Sequence, residues 1–436
     1  FIGVSAGNLT CAWSISSSNC WEGSTATVTN YQTYNPTTNH YYISSGATLS
    51  GALGYPYQRY DQTRTFNSVT DAMKSVSLPS KSSGVFDIIS VGSDSVCALN
   101  ASKNLYCWGN NQYGKLGLGD FVTDASKYQN ISGNWYYNEP CKAGAVSCSS
   151  TPRQVSGSKT WTQISVGQNH SCAIDSLGVT YCWGLNASGQ VGNNDLSLIS
   201  VNTPTIVIVP RTYSQTSSSI NHSCGVTLTG DIDCWGDSVT GAIGDGFNLQ
   251  RLTPRQVARN ETWKSIETGR NYSCALSAVG SVYCWGLNAL GQLGDGTTND
   301  RNVPTIISTS QIIRSLSVGA SHSCAVNVSG DALCWGNNAA GQLGDGTLNN
   351  RTIPTLIFGN LKWKSLFSGV NTTCGITLNA QLYCWGSNNS GQFGDGSTIS
   401  STSPKLVTSP KSFVSLVLTE VSTCGLTIEY SIYCWG

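Results

Sequence analysis

The chain holds a single Met and four His, and only 11% of its residues are charged. Neither sign dominates: Lys plus Arg is 23, Asp plus Glu is 23, and the formal net charge is zero. That balance excludes capture of nucleic acid or an anionic membrane by bulk electrostatics. Long apolar runs are missing too. A stretch such as "TIVIV", Thr205–Val209, is far too short to span a bilayer, so no membrane span is expected in this chain. No window sustains a helical period. Close Cys-x-x-Cys pairs, the usual zinc spacing, are absent. The chain opens on the strand-like "FIGVSAG" rather than on Met, so a processed or partial chain is expected.

What is abundant is cysteine, with 18 residues. Sixteen form eight local pairs: Cys11/Cys20, Cys97/Cys107, Cys172/Cys182, Cys224/Cys234, Cys274/Cys284, Cys324/Cys334, Cys374/Cys384 and Cys424/Cys434. A ninth pair is Cys141/Cys148. Pairs at hairpin spacing read as disulfides, and disulfides require an oxidising compartment. In "CALSAVGSVYC" a turn around Val279 and Gly280 brings Cys274 opposite Cys284 on antiparallel strands, within reach of a bridge. Closing so small a loop contributes about 3 kcal/mol or less.

The pairs belong to a larger repeat. "IETGRNYSC" and "LSVGASHSC" precede the first Cys; "CWGLNALGQLGDG" and "CWGNNAAGQLGDG" begin at the second. A proline follows each glycine-rich phrase, at Pro152, Pro204, Pro254, Pro304, Pro354 and Pro404. The last four repeats are 50 residues apart. Every apolar segment has strand length, with turn residues between. A unit of about 50 residues holding about four short strands is the size of a propeller blade. The expected fold is all-β: one propeller over residues 1–436, with a disulfide in each blade hairpin. The glycines permit tight turns where blades converge, and the Trp packs between blades.

The phrase "HSCA…YCWGxNxxGQLGDG" resembles the repeats of the regulator of chromosome condensation family. The resemblance covers Asp87–Gly436 strongly and Phe1–Gly23 in outline. It implies a propeller of about seven four-stranded blades, or eight with one incomplete. The founding member is a nuclear exchange factor for a small GTPase. Paired cysteines, and the lack of a basic tail, instead liken this chain to the secreted, cysteine-stapled branch. Some secreted relatives are protein inhibitors, and similar plant receptor ectodomains are recognition modules.

Catalytic motifs are lacking. His170, His222 and His322 occupy one repeat position, as a structural residue does. Asp245, Asp295 and Asp345 recur in "GDG", but one carboxylate per repeat cannot supply the six to eight oxygens calcium takes. They read as turn aspartates capping backbone N–H groups. The Gly-x-x-Gly spacing is not a phosphate loop, since no Lys follows and no helix opens. No enzyme activity, cofactor or metal is expected.

Two insertions break the repeat, at about 24–51 and about 121–150. They carry Tyr34, Tyr41, Tyr42, Trp135, Tyr136 and Tyr137, residues that suit protein or glycan binding when exposed and blade capping when packed. Cys141/Cys148 would pin the second. Asn-x-Ser/Thr sequons occur at Asn8, Asn100, Asn130, Asn169, Asn186, Asn221, Asn260, Asn271, Asn327, Asn350, Asn371 and Asn388. Asn8, Asn169, Asn221, Asn271 and Asn371 each stand three residues before the first Cys of a pair, which would place glycans in a ring on one side.

Eight paired-cysteine hairpins alternate with seven links, so seven complete blades leave one terminal hairpin over. A surplus hairpin offers a strand edge to a neighbour, and a head-to-tail contact of that kind generates a filament. The expected function is a non-enzymatic extracellular glycoprotein acting as a structural or assembly module of a cell-surface layer or filament, self-associating or held by neighbouring subunits. The alternative is a secreted recognition module binding a protein or glycan.

Overall fold

A computed structural model describes residues 86–119, 148–209 and 211–436 throughout. It also gives backbone strands within 3–22, 32–43, 74–76 and 128–137. The chain divides into two compact units: residues 1–61 with 124–142, and 62–123 with 143–436.

The larger unit is a seven-bladed propeller of four-stranded antiparallel sheets. The fourth blade is typical: Trp263–Gly269, Tyr272–Ser277, Val282–Gly286 and Arg301–Ile306 pair in chain order. Hairpin turns and glycine-bearing loops keep each strand at five to seven residues in this blade. Its second strand is buried along its whole length, because both faces pack on neighbouring blades. The first strands of successive blades touch one another in a closed circle. They form the inner wall, and the fourth strands form the rim.

The last blade shows how the circle closes. Phe413–Leu418, Thr423–Thr427 and Ile432–Trp435 come from the C-terminal repeat. The fourth strand is Lys74–Val76, from just before the first blade, with Cys434 opposite Lys74. Counting hairpins and links alone treats the two ends as identical parts that cannot complement each other. The link after the first hairpin resolves this, since its strand completes the C-terminal blade.

The smaller unit contains a three-stranded sheet, Gly3–Ser5, Leu9–Trp13 and Ser18–Glu22, with Cys11 in register with Cys20. Thr10 opposes Trp21 there, as Ser171 opposes Trp183 in the second blade. The eighth hairpin therefore has blade-like pairing but is not one of the seven four-stranded sheets. Two short hairpins lie in the insertions, Gln32–Asn35 with His40–Ile43 and Tyr128–Ile131 with Asn134–Tyr137.

Candidate interaction faces of the propeller

The seams between blades explain why Cys-Trp-Gly always precedes the glycine-rich loop. From the second blade to the seventh, the Trp donates its indole N–H to a loop carbonyl of the blade before. Trp335 donates to Gln292 at 3.0 Å, Trp385 to Gln342 at 3.0 Å, and Trp235 to Gln190 at 2.9 Å. Gly294, at φ +68°, lies against the Trp335 ring, and a Cβ there would sit 2.8 Å from the indole. Gly286, at φ +102°, would drive a Cβ into the Asn271 carbonyl at 2.5 Å. Both positions therefore require glycine on two grounds, a left-handed backbone and a close approach.

Each of the seven blades carries one disulfide between its second and third strands. The bridges are Cys97–Cys107, Cys172–Cys182, Cys224–Cys234, Cys274–Cys284, Cys324–Cys334, Cys374–Cys384 and Cys424–Cys434. In every one the two cysteines are direct cross-strand partners, as Cys97 is of Cys107 and Cys374 of Cys384. That register holds their Cα atoms 4.0–4.1 Å apart. The bridges are structural rather than reactive, because they lie inside the sheets. Cys107, Cys182, Cys234, Cys284, Cys334 and Cys384 are all fully buried, each directly before the Trp of the first to sixth blades. Cys434 is only partly buried, in the blade whose fourth strand comes from Lys74–Val76. Cys148 is also disulfide-bonded. Cys141 and the side chains of Cys11 and Cys20 lie outside the described residues.

The histidines form a second inter-blade seam. His170 Nε2 lies 2.7 Å from Ser223 Oγ, His222 Nε2 is 2.9 Å from Ser273 Oγ, and His322 Nε2 is 2.8 Å from Thr373 Oγ1. In the fourth blade Tyr272 takes this place and donates to the His322 carbonyl at 2.8 Å. Burial holds the imidazoles neutral: His170 is pushed down to about 3, with a smaller effect from His222, His222 to about 4 and His322 to about 3. They are structural residues.

The "GDG" aspartates also prove structural, with a partner not visible in the motif. Asp295 Oδ1 accepts the Thr297 N–H at 2.9 Å, and its other oxygen takes the Arg301 guanidinium at 2.8 Å. Asp245 pairs with Arg251, Asp345 with Arg351 and Asp395 with Lys405. Burial raises the Asp295 pKa, but the Thr297 and Arg301 bonds outweigh it and hold the carboxyl below its usual range. Asn288, after Cys-Trp-Gly-x, is buried and ties the loop by accepting from Leu293 N at 3.0 Å.

The inner wall has its own seam. Each first strand leaves an open edge, and serines of the preceding blade fill several of its N–H groups. Ser90 Oγ accepts from Val166 N, Ser165 from Ser218 N, Ser217 from Thr268 N and Ser317 from Ser368 N, at 2.8–3.0 Å. Opposite the first Cys of the other blades stand Glu267, Phe367 and Val417. Burial pushes the Glu267 carboxyl up to about 7.

These seams leave two chemically different faces. One, the loop face, carries the strand 1–2 and 3–4 connections. Asn169, Asn221, Asn271 and Asn371 lie there at equivalent positions, each partly buried. Asn260 and Asn350 are exposed. Asn100, Asn186, Asn327 and Asn388 are buried with their amides hydrogen-bonded inside the fold, as in Asn388 Nδ2 to the Ser397 carbonyl at 2.9 Å. A glycan on those four would displace native bonds. Asn8 and Asn130 lie outside the described side chains, as do Tyr34, Tyr41, Tyr42, Trp135, Tyr136 and Tyr137.

The other, the turn face, carries the hairpin turns and the links between blades. Asp87, Thr162, Ser214, Lys264, Arg314, Lys364 and Val414 occupy one structural position there. Each falls at a register break between first and second strands. That ring of bulge residues has no signature in the cysteine or glycine motifs; only aligning the repeats by strand register exposes it.

An open depression of about 490 Å³ lies beside the fifth blade between Asp331, Phe358 and Lys362. Among the described residues no three His, Cys, Asp or Glu side chains are grouped to hold a metal, and no helix is long and apolar enough to cross a membrane.

Seven disulfide-stapled, four-stranded blades whose Trp residues lock each blade to the last define a repeat propeller. The chain belongs to the RCC1-like domain family, whose model matches residues 44–427. It is 26% identical over 170 residues to the ultraviolet-B receptor UVR8 of Arabidopsis thaliana, covering 39% of this chain and 33% of that protein. It is 25% identical over 169 residues to the probable E3 ubiquitin-protein ligase HERC4 of Homo sapiens, covering 37% and 13%. The aligned part thus spans a third or less of these curated relatives. Among solved structures, human WBSCR16 superposes with a TM-score of 0.67 at 19% identity, covering 83% of this chain and 88% of that one. Yeast RCC1 (Prp20), solved bound to Kap60, gives 0.65 at 20%, covering 80% of each. At these identities the structural likeness concerns the fold.

Proposed function

We propose that this chain is a non-enzymatic, protein-binding propeller of the extracellular space or cell surface, acting as a structural or assembly module of a surface layer or filament. The disulfides support the location, since a stapled blade needs an oxidising compartment. Assembly rests on one observation: the blade-like sheet of Gly3–Ser5, Leu9–Trp13 and Ser18–Glu22 is additional to the seven blades. Self-association through a strand edge is the chemistry such a sheet offers. Electron microscopy of native material tests this. Ordered polymers support assembly, whereas discrete single particles overturn it in favour of the second reading.

That second reading is a secreted recognition module, and the bulge ring of the turn face favours it. Sugars at Asn169, Asn221, Asn271 and Asn371 would cover the loop face, whereas the turn face has one exposed sequon, Asn260, in the link before the fourth blade. Intact mass before and after deglycosylation of protein from a eukaryotic source checks the sugars; an unchanged mass removes them.

A further inference from the structure

Seven bulge residues ring the inner wall at the turn face, and three on successive blades are cations: Lys264, Arg314 and Lys364. A bulge takes its residue out of cross-strand pairing and re-aims the side chain. Thr162 and Ser214 turn back to their own blades, bonding the carbonyls of Ile174 and Val226 at 3.2 Å. Lys264 and Arg314 instead reach forward. Lys264 Nζ donates to the Arg314 carbonyl at 3.2 Å, and the Arg314 guanidinium donates to the carbonyls of Trp363 at 2.8 Å and Lys364 at 3.1 Å. The three bulge positions are thereby linked in one arc across three blades.

None of the three meets a carboxylate among the described residues. Several carboxylates on the same face already have cations: Asp87 of the ring has Lys103, Asp331 has Lys362, Glu261 has Arg259, and Asp233 has Arg211. In a chain of zero net charge, an arc of uncompensated cations is a local feature rather than a general basicity. The arc is an open surface, not a pocket, so a small anion would remain largely hydrated there. Farther out, hairpin turns on the same face expose Val328 at 61% and Leu378 at 57%. Acidic and aliphatic contacts are both available to an extended segment laid across the fourth to sixth blades.

We propose that Lys264, Arg314 and Lys364 form a docking site for an acidic, aliphatic-bearing polypeptide segment on the turn face. This deepens the protein-binding reading and names its surface and partner chemistry. Charge complementarity fixes the sign of the partner, and the pinned Arg314 fork suits carboxylate.

The probe is a fluorescein-labelled peptide of alternating Glu and Leu, titrated against the full disulfide-bonded chain. Binding is expected, weakening steeply as salt rises from about 50 to about 200 mM. The triple variant Lys264→Glu, Arg314→Glu, Lys364→Glu is expected to bind at least about tenfold more weakly. A control variant reversing Asp237 and Asp300, on the loop face, keeps the affinity. Equal binding by the triple variant, or none by the wild type at low salt, overturns the proposal. So does tighter binding of heparin or duplex DNA than of the peptide. Circular dichroism confirms that each variant is folded. Particle assembly seen by microscopy is a separate readout, so failure of the assembly reading leaves this site standing, and the reverse.

Discussion

The two faces of the propeller are made from the same repeat, yet they diverge in opposite ways. On the loop face the charged residues are largely consumed internally, as Asp295 is by Arg301 and Asp345 by Arg351. On the turn face the bulge position runs through Asp87, Thr162, Ser214, Lys264, Arg314, Lys364 and Val414, with no common chemistry. The Trp after the second Cys, which must fill a seam, keeps its residue type from blade to blade. A position released from pairing is free to differ. Specific recognition is therefore to be sought where the repeat departs from itself, and stability where it does not.

The contrast can be broken hardest at a seam. Trp335→Ala removes a fully buried indole and its bond to Gln292, and should cost about 3–5 kcal/mol in chemical denaturation. Removing one staple, with Cys274→Ala and Cys284→Ala together, should cost about 2–3 kcal/mol, read the same way.

Acid should also act on the seams. His170, His222 and His322 have folded pKa values below the ordinary 6.5, so the unfolded chain binds their protons first. Their contribution is complete above about 6.5 and is lost as pH falls from there toward about 3, at up to about 4 kcal/mol per pH unit while all three titrate. Denaturation midpoints at pH 7 and pH 5 check the direction, and His322→Asn should flatten the dependence. Glu267 runs the other way. Its raised pKa means the folded state loses stability as pH rises from the ordinary 4.5 through about 7, so Glu267→Gln should gain stability at pH 8 relative to pH 5.

The smallest effect is expected at the bulges. Lys364→Ala should stay within about 0.5 kcal/mol of wild type, because an exposed side chain is lost and no ion pair broken. A larger loss would make the bulge cations part of the seam and erase the contrast between the faces.

By itself the sequence determined the blade. Period, paired cysteines, the Trp after the second Cys and the glycines of the link are local requirements, each written beside the strand it serves. Cys274 finds Cys284 through a turn of a few residues, so spacing suffices to pair them. The roles of His170 and Asp295 as structural residues were likewise legible from their recurrence. Only tertiary structure decided what depends on two distant segments. It supplied the Lys74–Val76 strand that closes the last blade, and the upstream carbonyls that accept from the seam Trp residues, as Gln292 does from Trp335. It also separated the open sequons from the buried ones, since Asn371 and Asn388 read alike as tripeptides while only burial tells them apart. The arc of Lys264, Arg314 and Lys364 belongs to the same class. Successive members are fifty positions apart in the sequence, and the packing of successive blades makes them neighbours.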